Sequence, residues 1–299
     1  MITKEATVAA PAPLPAAPEP PRPARKRRRA WDEAPRWQIY LPLGIYLVFT
    51  LIPFYWILLF ALRPAGSTSL VPWPMTTVHF EKVWTDRGFG TFFYNSVLVG
   101  VVTLLMTTLV ALAGGYALAR FDFKVKRAFM LALLCSQFVP GALLLVPLFE
   151  IFAGLQLINS LVSVIIAETV FQLPLSMILI SNFIKNVPYS LEEAAWVDGC
   201  NRFRAFRVVV LPLLRPGLIA VGSFAFVHSW NHFLFALMFL NNQEKQTIPV
   251  GLNTLMSADS VDLGALAAGG IIAAVPVVIV FAFIQKWLIT GFSAGAVKG

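Results

Sequence analysis

Two short stretches hold most of the side chains with chemical potential. One is "SLEEAAWVDGC", Ser190 to Cys200, which sets Glu192, Glu193 and Asp198 close together in a chain made mostly of Leu, Val, Phe and Ala. The other is His228, Ser229, Trp230, Asn231 and His232, within about one and a half helical turns. Aromatic faces paired with amides suit sugar rings, which makes Trp230 and Asn231 candidates for a solute path. Hydrogen bonding between helices is the competing use of the same groups. His228 and His232 have the i, i+4 spacing of metal ligands, but no third ligand of known position accompanies them, and no metal site is expected. Gln137 is a further solute-path candidate, with Gln172 and Asn182 behind it. Nothing resembles a phosphate-cradling glycine-rich loop ending in Lys-Ser/Thr, so no nucleotide or other cofactor is expected on this chain.

These groups have to be positioned by long apolar elements. The chain of 299 residues is 58% hydrophobic and 13% charged, against about 25% charged for a soluble domain. Charge is absent from Trp37–Leu62, Gly88–Ala119, Ala128–Phe149, Thr169–Ile184, Pro216–Gln243 and Leu263–Gln285. About 20 residues cross a ~30 Å hydrocarbon layer at 1.5 Å per residue. All but the Thr169 run suffice alone, and that one does once extended upstream through Glu168 to Asn159. The expected fold is therefore all-α, a polytopic membrane protein with six transmembrane helices at about 38–62, 93–118, 128–152, 159–184, 216–240 and 263–288. Pro140 and Pro147 are placed to bend the third. Gly100, Gly114 and Gly115 allow neighbours to approach the second closely. Glu168 falls ~14 Å into the fourth span, where an ionised carboxylate costs at least ~2.5 kcal/mol unless it meets a wet cavity or a partner. It either contacts a hydroxyl-rich or cationic solute or is a protonated packing residue.

The net charge of +8 is a topology signal rather than a nucleic-acid one. The amino terminus, the 119–127 loop, the 185–215 loop and the carboxyl terminus hold 8, 4, 5 and 2 of the 23 Lys and Arg, and the opposite loops only Arg63, Lys82, Arg87 and Lys245. Positive loops stay inside, so both termini are expected in the cytoplasm. Residues 1–36 read as a disordered Pro-rich basic cytoplasmic tail, with eight prolines and the anionic-lipid anchor "RKRRR". No cleaved signal peptide is expected. Cys135 and Cys200 read as a buried small hydrophobe and a loop thiol, not as a disulfide.

The 188–216 loop can be read as local chemistry. Ser190 and Glu193 have the spacing of a capping box, Glu192 and Glu193 sit at the positive end of a helix dipole, and Gly199 can stop the helix in the left-handed conformation. A second helix, "NRFRAFRVVV", would put Phe203, Phe206 and Val210 on one stripe and display Arg204 and Arg207 elsewhere. "LPLLRPG" then breaks it. Two short helices around a glycine make a rigid knob, and Ala194 and Ala195 leave its face small enough for another protein to approach. An interfacial connector between spans is the plainer alternative. A DNA-binding helix-turn-helix is set aside, because two membrane anchors would hinder groove access.

"EEAAWVDGCNRFRAFRVVVLPLLRPG" resembles the EAA loop of ATP-binding-cassette importer permeases. Glu193-Ala194-Ala195, Gly199, Val209 and Leu211-Pro212 stand at that family's fixed spacing. "WNHFLFAL" at 230–237 and "GFSAGAVKG" at 291–299 are similar to the MalG-like permeases of carbohydrate importers. The resemblance covers 37–299 and implies a type I importer permease fold. It further implies ATPase coupling through Glu193, Ala194, Ala195, Asp198, Gly199 and Pro212. The partners it implies are a second, MalF-like permease chain, a dimer of cytoplasmic ATPase subunits carrying ATP and Mg, and an extracellular solute-binding lipoprotein or periplasmic protein, all at a bacterial cytoplasmic membrane. MalG-like chains usually carry an uncharged residue at the Glu168 position. An ion-coupled secondary transporter is the rival reading. It would need paired intramembrane charges or broken helices in two related halves.

Overall fold

The computed structural model describes residues 36–256 and 261–296, with side chains from 37 to 256 and 261 to 285. The proline-rich tail, apart from Arg36, and the terminal Val-Lys-Gly lie outside the described residues. The helices are α1 Arg36–Leu62, α2 Val78–Thr85, α3 Phe89–Arg120, α4 Lys126–Ser136, α5 Leu145–Gly154, α6 Leu161–Lys185 and α7 Ser190–Val197, then α8 Arg202–Ala205, α9 Leu211–Leu213, α10 Arg215–Asn231, α11 Leu234–Phe239, α12 Ile248–Met256 and α13 Leu263–Ala296. A π-helical turn, Phe206–Val210, joins α8 to α9. No strand occurs among the described residues. The chain divides into two units at Ile52–Pro53, within α1, and the contacts and sites described below belong to the second.

Among the described residues α1, α3, α6 and α13 are each long and apolar enough to cross a membrane, and two bent helix pairs bring the total to as many as six. The third expected span is broken rather than curved. α4 and the segment Gly141–Gly154 meet at 93°, with Pro140 extended at φ −63° and ψ 126°. Proline lacks the N–H that would continue α4 and biases Val139 away from helix. Pro147 makes no break, because it falls in the first turn of α5, where its missing N–H has no helical partner to lose. The fifth expected span, 216–240, is also interrupted. α10 stops at Asn231, His232 is extended at φ −77° and ψ 117°, and α11 starts only at Leu234. Neither proline nor glycine marks that second break in the sequence.

Small residues bring the spans together. α3 packs most extensively along α6, and next against α10. A Cβ on Gly114 would lie 2.0 Å from Met177 Cε, and one on Gly115 2.7 Å from Ile180 Cγ2. The two α3 glycines are thus the contact surface for α6, as expected of small residues in lipid. Gly100 does the same for α10, with Phe226 Cε2 2.9 Å from where its Cβ would be. Outside the main spans, α2 is tied to the start of α13 by Lys82 Nζ and Asp262 Oδ2 at 2.8 Å.

Candidate coupling and solute-path sites

The knob between α6 and α10 is built from local signals, some of them misread in the sequence. α7 begins one residue early, with Tyr189 at the N-cap position and no side-chain cap bond. Ser190 is thereby the first helical residue, and the Glu193 amide donates to Tyr189 O at 3.2 Å. The capping box does not form. The stop is as expected: Gly199 has φ +85°, its amide donates to Trp196 O at 3.0 Å, and the Cys200 amide to Ala195 O at 2.9 Å. That is a Schellman closure, which satisfies two terminal carbonyls. Asn201 Oδ1 then caps α8 by accepting from the Arg204 amide at 2.8 Å, a cap the sequence reading overlooked.

α7 has two faces. Ser190, Glu193, Ala194 and Val197 are exposed, while Glu192 and Ala195 are buried. The spacing of three and four residues makes each set one side of the helix. Ala194 therefore lies on the outward side, but Ala195 is packed inward, which corrects the expectation that both alanines form the approach surface. Asp198 is the exposed C-cap residue. Phe203 also departs from its expected stripe. It is 74% exposed while Val210 is fully buried, because the π turn adds a residue between them and shifts the helical register. Arg204 and Arg207 are exposed. Pro212 lies in α9, just before the chain bends by 74° into α10.

On the inward side, sequence reading counted Arg120 only as a topological charge and assigned Tyr116 no role. Arg120 Nε donates to Glu192 Oε1 at 2.6 Å, and its Nη2 to Val187 O at 2.9 Å. Tyr116 OH donates to Glu192 Oε2 at 2.7 Å. Glu192 is wholly buried. The only sequence hint was a second glutamate beside that of the EAA pattern; its partners lie far upstream, and spacing does not reveal them.

The solute-path candidates separate into those that share a cleft and those that do not. Two adjoining hollows of about 200 and 180 Å³ share Gln137, Phe171 and His228 in their walls. Gln172 and Ser176 line the first, and His232 and Phe235 the second. Both helix breaks contribute: Gln137 follows α4, and His232 stands between α10 and α11. Such non-helical backbone is tolerated at membrane depth where it is buried in protein or lines a cavity. Gln137 Nε2 also donates to Phe171 O at 3.4 Å.

Trp230 is elsewhere. It is buried at 2% exposure, stacks on Phe226 and donates from Nε1 to Ala273 O at 3.0 Å, so it binds α10 to α13 within this chain. Asn231 Nδ2 donates to Val227 O of its own helix at 2.9 Å. Glu168 lines neither hollow. It lies behind them at 1% exposure, with Oε1 3.7 Å from His232 Nδ1, too far for a hydrogen bond. Glu168 Oε2, Thr169 Oγ1, Gln172 Nε2 and His232 Nδ1 are buried without a hydrogen-bond partner. Among the described residues no group of three His, Cys, Asp or Glu is arranged to hold a metal.

An all-α polytopic chain with a two-helix knob between spans and a polar cleft at two helix breaks defines the class: a multi-pass membrane transport subunit. Residues 111–293 match the family described as "Binding-protein-dependent transport system inner membrane component". The chain belongs to that family, as the permease component of such a system. It is 34% identical to the diacetylchitobiose uptake system permease protein DasC of Streptomyces coelicolor, over 86% of this chain and 94% of the relative. It is 32% identical to the sulfoquinovosyl glycerol transport system permease protein SmoH of Agrobacterium fabrum, over 87% and 93%. In three dimensions it resembles a chain of a bacterial ABC transporter involved in the import of the acidic polysaccharide alginate, with a TM-score of 0.71 and 21% identity over 85% of this chain and 98% of that one. The fold is that of the type I ABC importer permeases.

Proposed function

We propose that this chain is the permease of an ATP-driven importer of a carbohydrate or carbohydrate derivative, and that α7 is the helix by which it docks on a cytoplasmic ATPase. The observation that carries the docking reading is the outward side of α7. Glu193, Ala194 and Val197 form an exposed surface, Val197 at 88% exposure, backed by an inward side that Glu192 ties to Tyr116 and Arg120. A protruding helix with a small apolar surface and an acidic rim fits a groove in another protein. Gly199 fixes its angle to α8, and Asp198 and Pro212 bound the knob on either side. The family's dependence on a binding protein and the sugar-derived solutes in the relatives' names support the carbohydrate assignment. ATP and Mg belong to the ATPase dimer. A second, MalF-like permease completes the pathway, and a solute-binding protein delivers the cargo from outside. The basic loops support a topology with both termini in the cytoplasm.

For the solute, Gln137, Gln172, His228 and His232 offer hydrogen-bonding groups beside the faces of Phe171 and Phe235, with Glu168 acting through His232 rather than by contact. Trp230 packs α10 onto α13 instead, while Asn231 stays exposed on α10. Replacement of Val197 by cysteine and cross-linking to single-cysteine ATPase variants in the assembled complex tests the docking reading. A cross-link is expected at the ATPase surface. Its absence across a scan of that surface, with the complex intact, would reduce α7 to a connector.

A further inference from the structure

The backbone joins α7 to α6 on one side and to α10 on the other, but not to α3. Besides packing on α8 and the π turn, it makes a buried ion pair with α3. Tyr116 and Arg120 are one turn apart on the last two turns of that helix, and both engage Glu192, at 2.7 and 2.6 Å. The second arm of Arg120 holds Val187 O, in the turn between α6 and α7, at 2.9 Å. Glu192 is 0% exposed and the Arg120 side chain 9%. Sliding α7 against α3 would leave two buried charges unpaired, which is among the costlier changes a folded interior can undergo. α3 is also locked to α6 through Gly114 and Gly115. The route from α7 to α10 is different in kind, because it passes through a four-residue helix, a π turn and a 74° bend.

We infer that the Arg120–Glu192–Tyr116 cluster is the joint that passes ATPase-driven movement of α7 to α3, so that α3, α6 and α7 travel as one body. Tyr116 and Arg120 are positioning residues in this scheme, since neither lies on the docking surface or in the cleft. Movement reaches the cleft through α6, which carries Phe171 and Gln172. The inference rests on α7 being the ATPase dock.

The test uses the whole importer complex in lipid nanodiscs, with Cys135 and Cys200 replaced by serine. Spin labels are placed as pairs at Val197 and Leu109 (α7 to α3) and at Val197 and Val278 (α7 to α13). All three positions are well exposed. Distances are compared between the nucleotide-free and the ADP–vanadate-trapped complex. The 197–109 distance is expected to stay constant and the 197–278 distance to shift. In Glu192→Gln, which keeps the shape and removes the charge, the 197–109 distribution should broaden and shift on trapping while basal ATP hydrolysis is kept. A shift of the 197–109 distance in the unmodified complex overturns the joint, as does a constant 197–278 distance or a Glu192→Gln complex that behaves like the parent. If Glu192→Gln does not assemble, the parent distances decide. Failure of the Val197 cross-link to the ATPase sinks the docking reading instead, so the two failures are distinguishable.

Discussion

Glu192 and Glu168 are both hidden from solvent, at 0% and 1% exposure, yet their surroundings are opposite. Glu192 has both oxygens bonded by charged or hydroxyl donors from a helix far away in sequence. Glu168 has no comparable pair of donors: its Oε1 is 3.7 Å from the His232 imidazole, and the Ser229 hydroxyl is its other polar neighbour. A fully satisfied buried charge holds one geometry firmly, whereas an unsatisfied one stores a demand that something else must meet. The first suits a part that has to move as a unit. The second suits a part that has to change partners as cargo passes.

The sharpest way to break this contrast is Glu192→Ala. It strands Arg120 beside Tyr116 in a buried site, and losing one partner of such a pair costs about 3–5 kcal/mol. Thermal unfolding of the purified complex should fall accordingly, and α7 should become susceptible to protease before the spans do. A melting temperature equal to the parent's would mean that the pair contributes nothing. Gly199→Val comes next. A Cβ there meets no atom within 4 Å, so the cost is backbone strain alone, roughly 1–2 kcal/mol at φ +85°. It should turn α7 relative to α8 and lower both binding-protein stimulation of ATP hydrolysis and transport, with solute binding by the external protein untouched. Full stimulation in this variant would make the knob a passive connector.

Glu168→Gln is the complementary case. Removing a poorly partnered carboxyl from membrane depth should leave stability equal or raise it by about 1 kcal/mol, while uptake rate or selectivity changes. A stability loss as large as that of Glu192→Ala would erase the distinction between the two sites. The smallest effect is expected at a half-buried acid that does have partners. The Lys82 ammonium and the Ala265 amide hold the Asp262 carboxyl below its usual range, with His79 Nδ1 3.9 Å away. Its contribution is therefore present above the unfolded value of about 4 and lost as pH falls through and below it. With the carboxyl about one-third exposed, that contribution is about 0–1 kcal/mol. Asp262→Asn should flatten this part of the acid-side decline in melting temperature, and an unchanged pH profile would count against it.

What could be read from the sequence divides along the same line. The long apolar helices, the α3 glycines and the left-handed Gly199 were legible because each depends on local composition or on one residue's allowed φ. The Pro140 break was legible in position, though the 93° turn exceeds the bend expected of it. The break at His232 was not, since "WNHFLF" contains no helix breaker; in the structure His232 packs against Phe235, 4.4 Å away between ring centres. The Ser190–Glu193 spacing was misleading for a similar reason. Burial of Glu192 fixes the rotation of α7 and turns Glu193 outward, away from any capping role. Trp230 and Asn231 carried the right chemistry for a sugar, but on α10 they point to α13 and to their own helix, while the less conspicuous Gln137 and His232 reach the cleft. Which residues share a cleft depends on contacts made between helices, and a pattern read along one helix does not contain them.

The broken third span also bears on how the protein is made. α4 has 11 residues and α5 has 10, so each is ~15–17 Å long, about half of the ~30 Å hydrocarbon layer. The backbone between them has to be shielded by protein, because an unpaired amide or carbonyl in lipid costs several kcal/mol. That shield includes Phe171 of α6 and Phe235 of α11, whose rings would lie 3.6 and 3.8 Å from a Cβ at Gly141. Both are synthesised after Gly154. A nascent chain that has just completed this segment therefore holds a span that is not yet self-sufficient, and its release into the bilayer has to wait for helices the ribosome has still to translate.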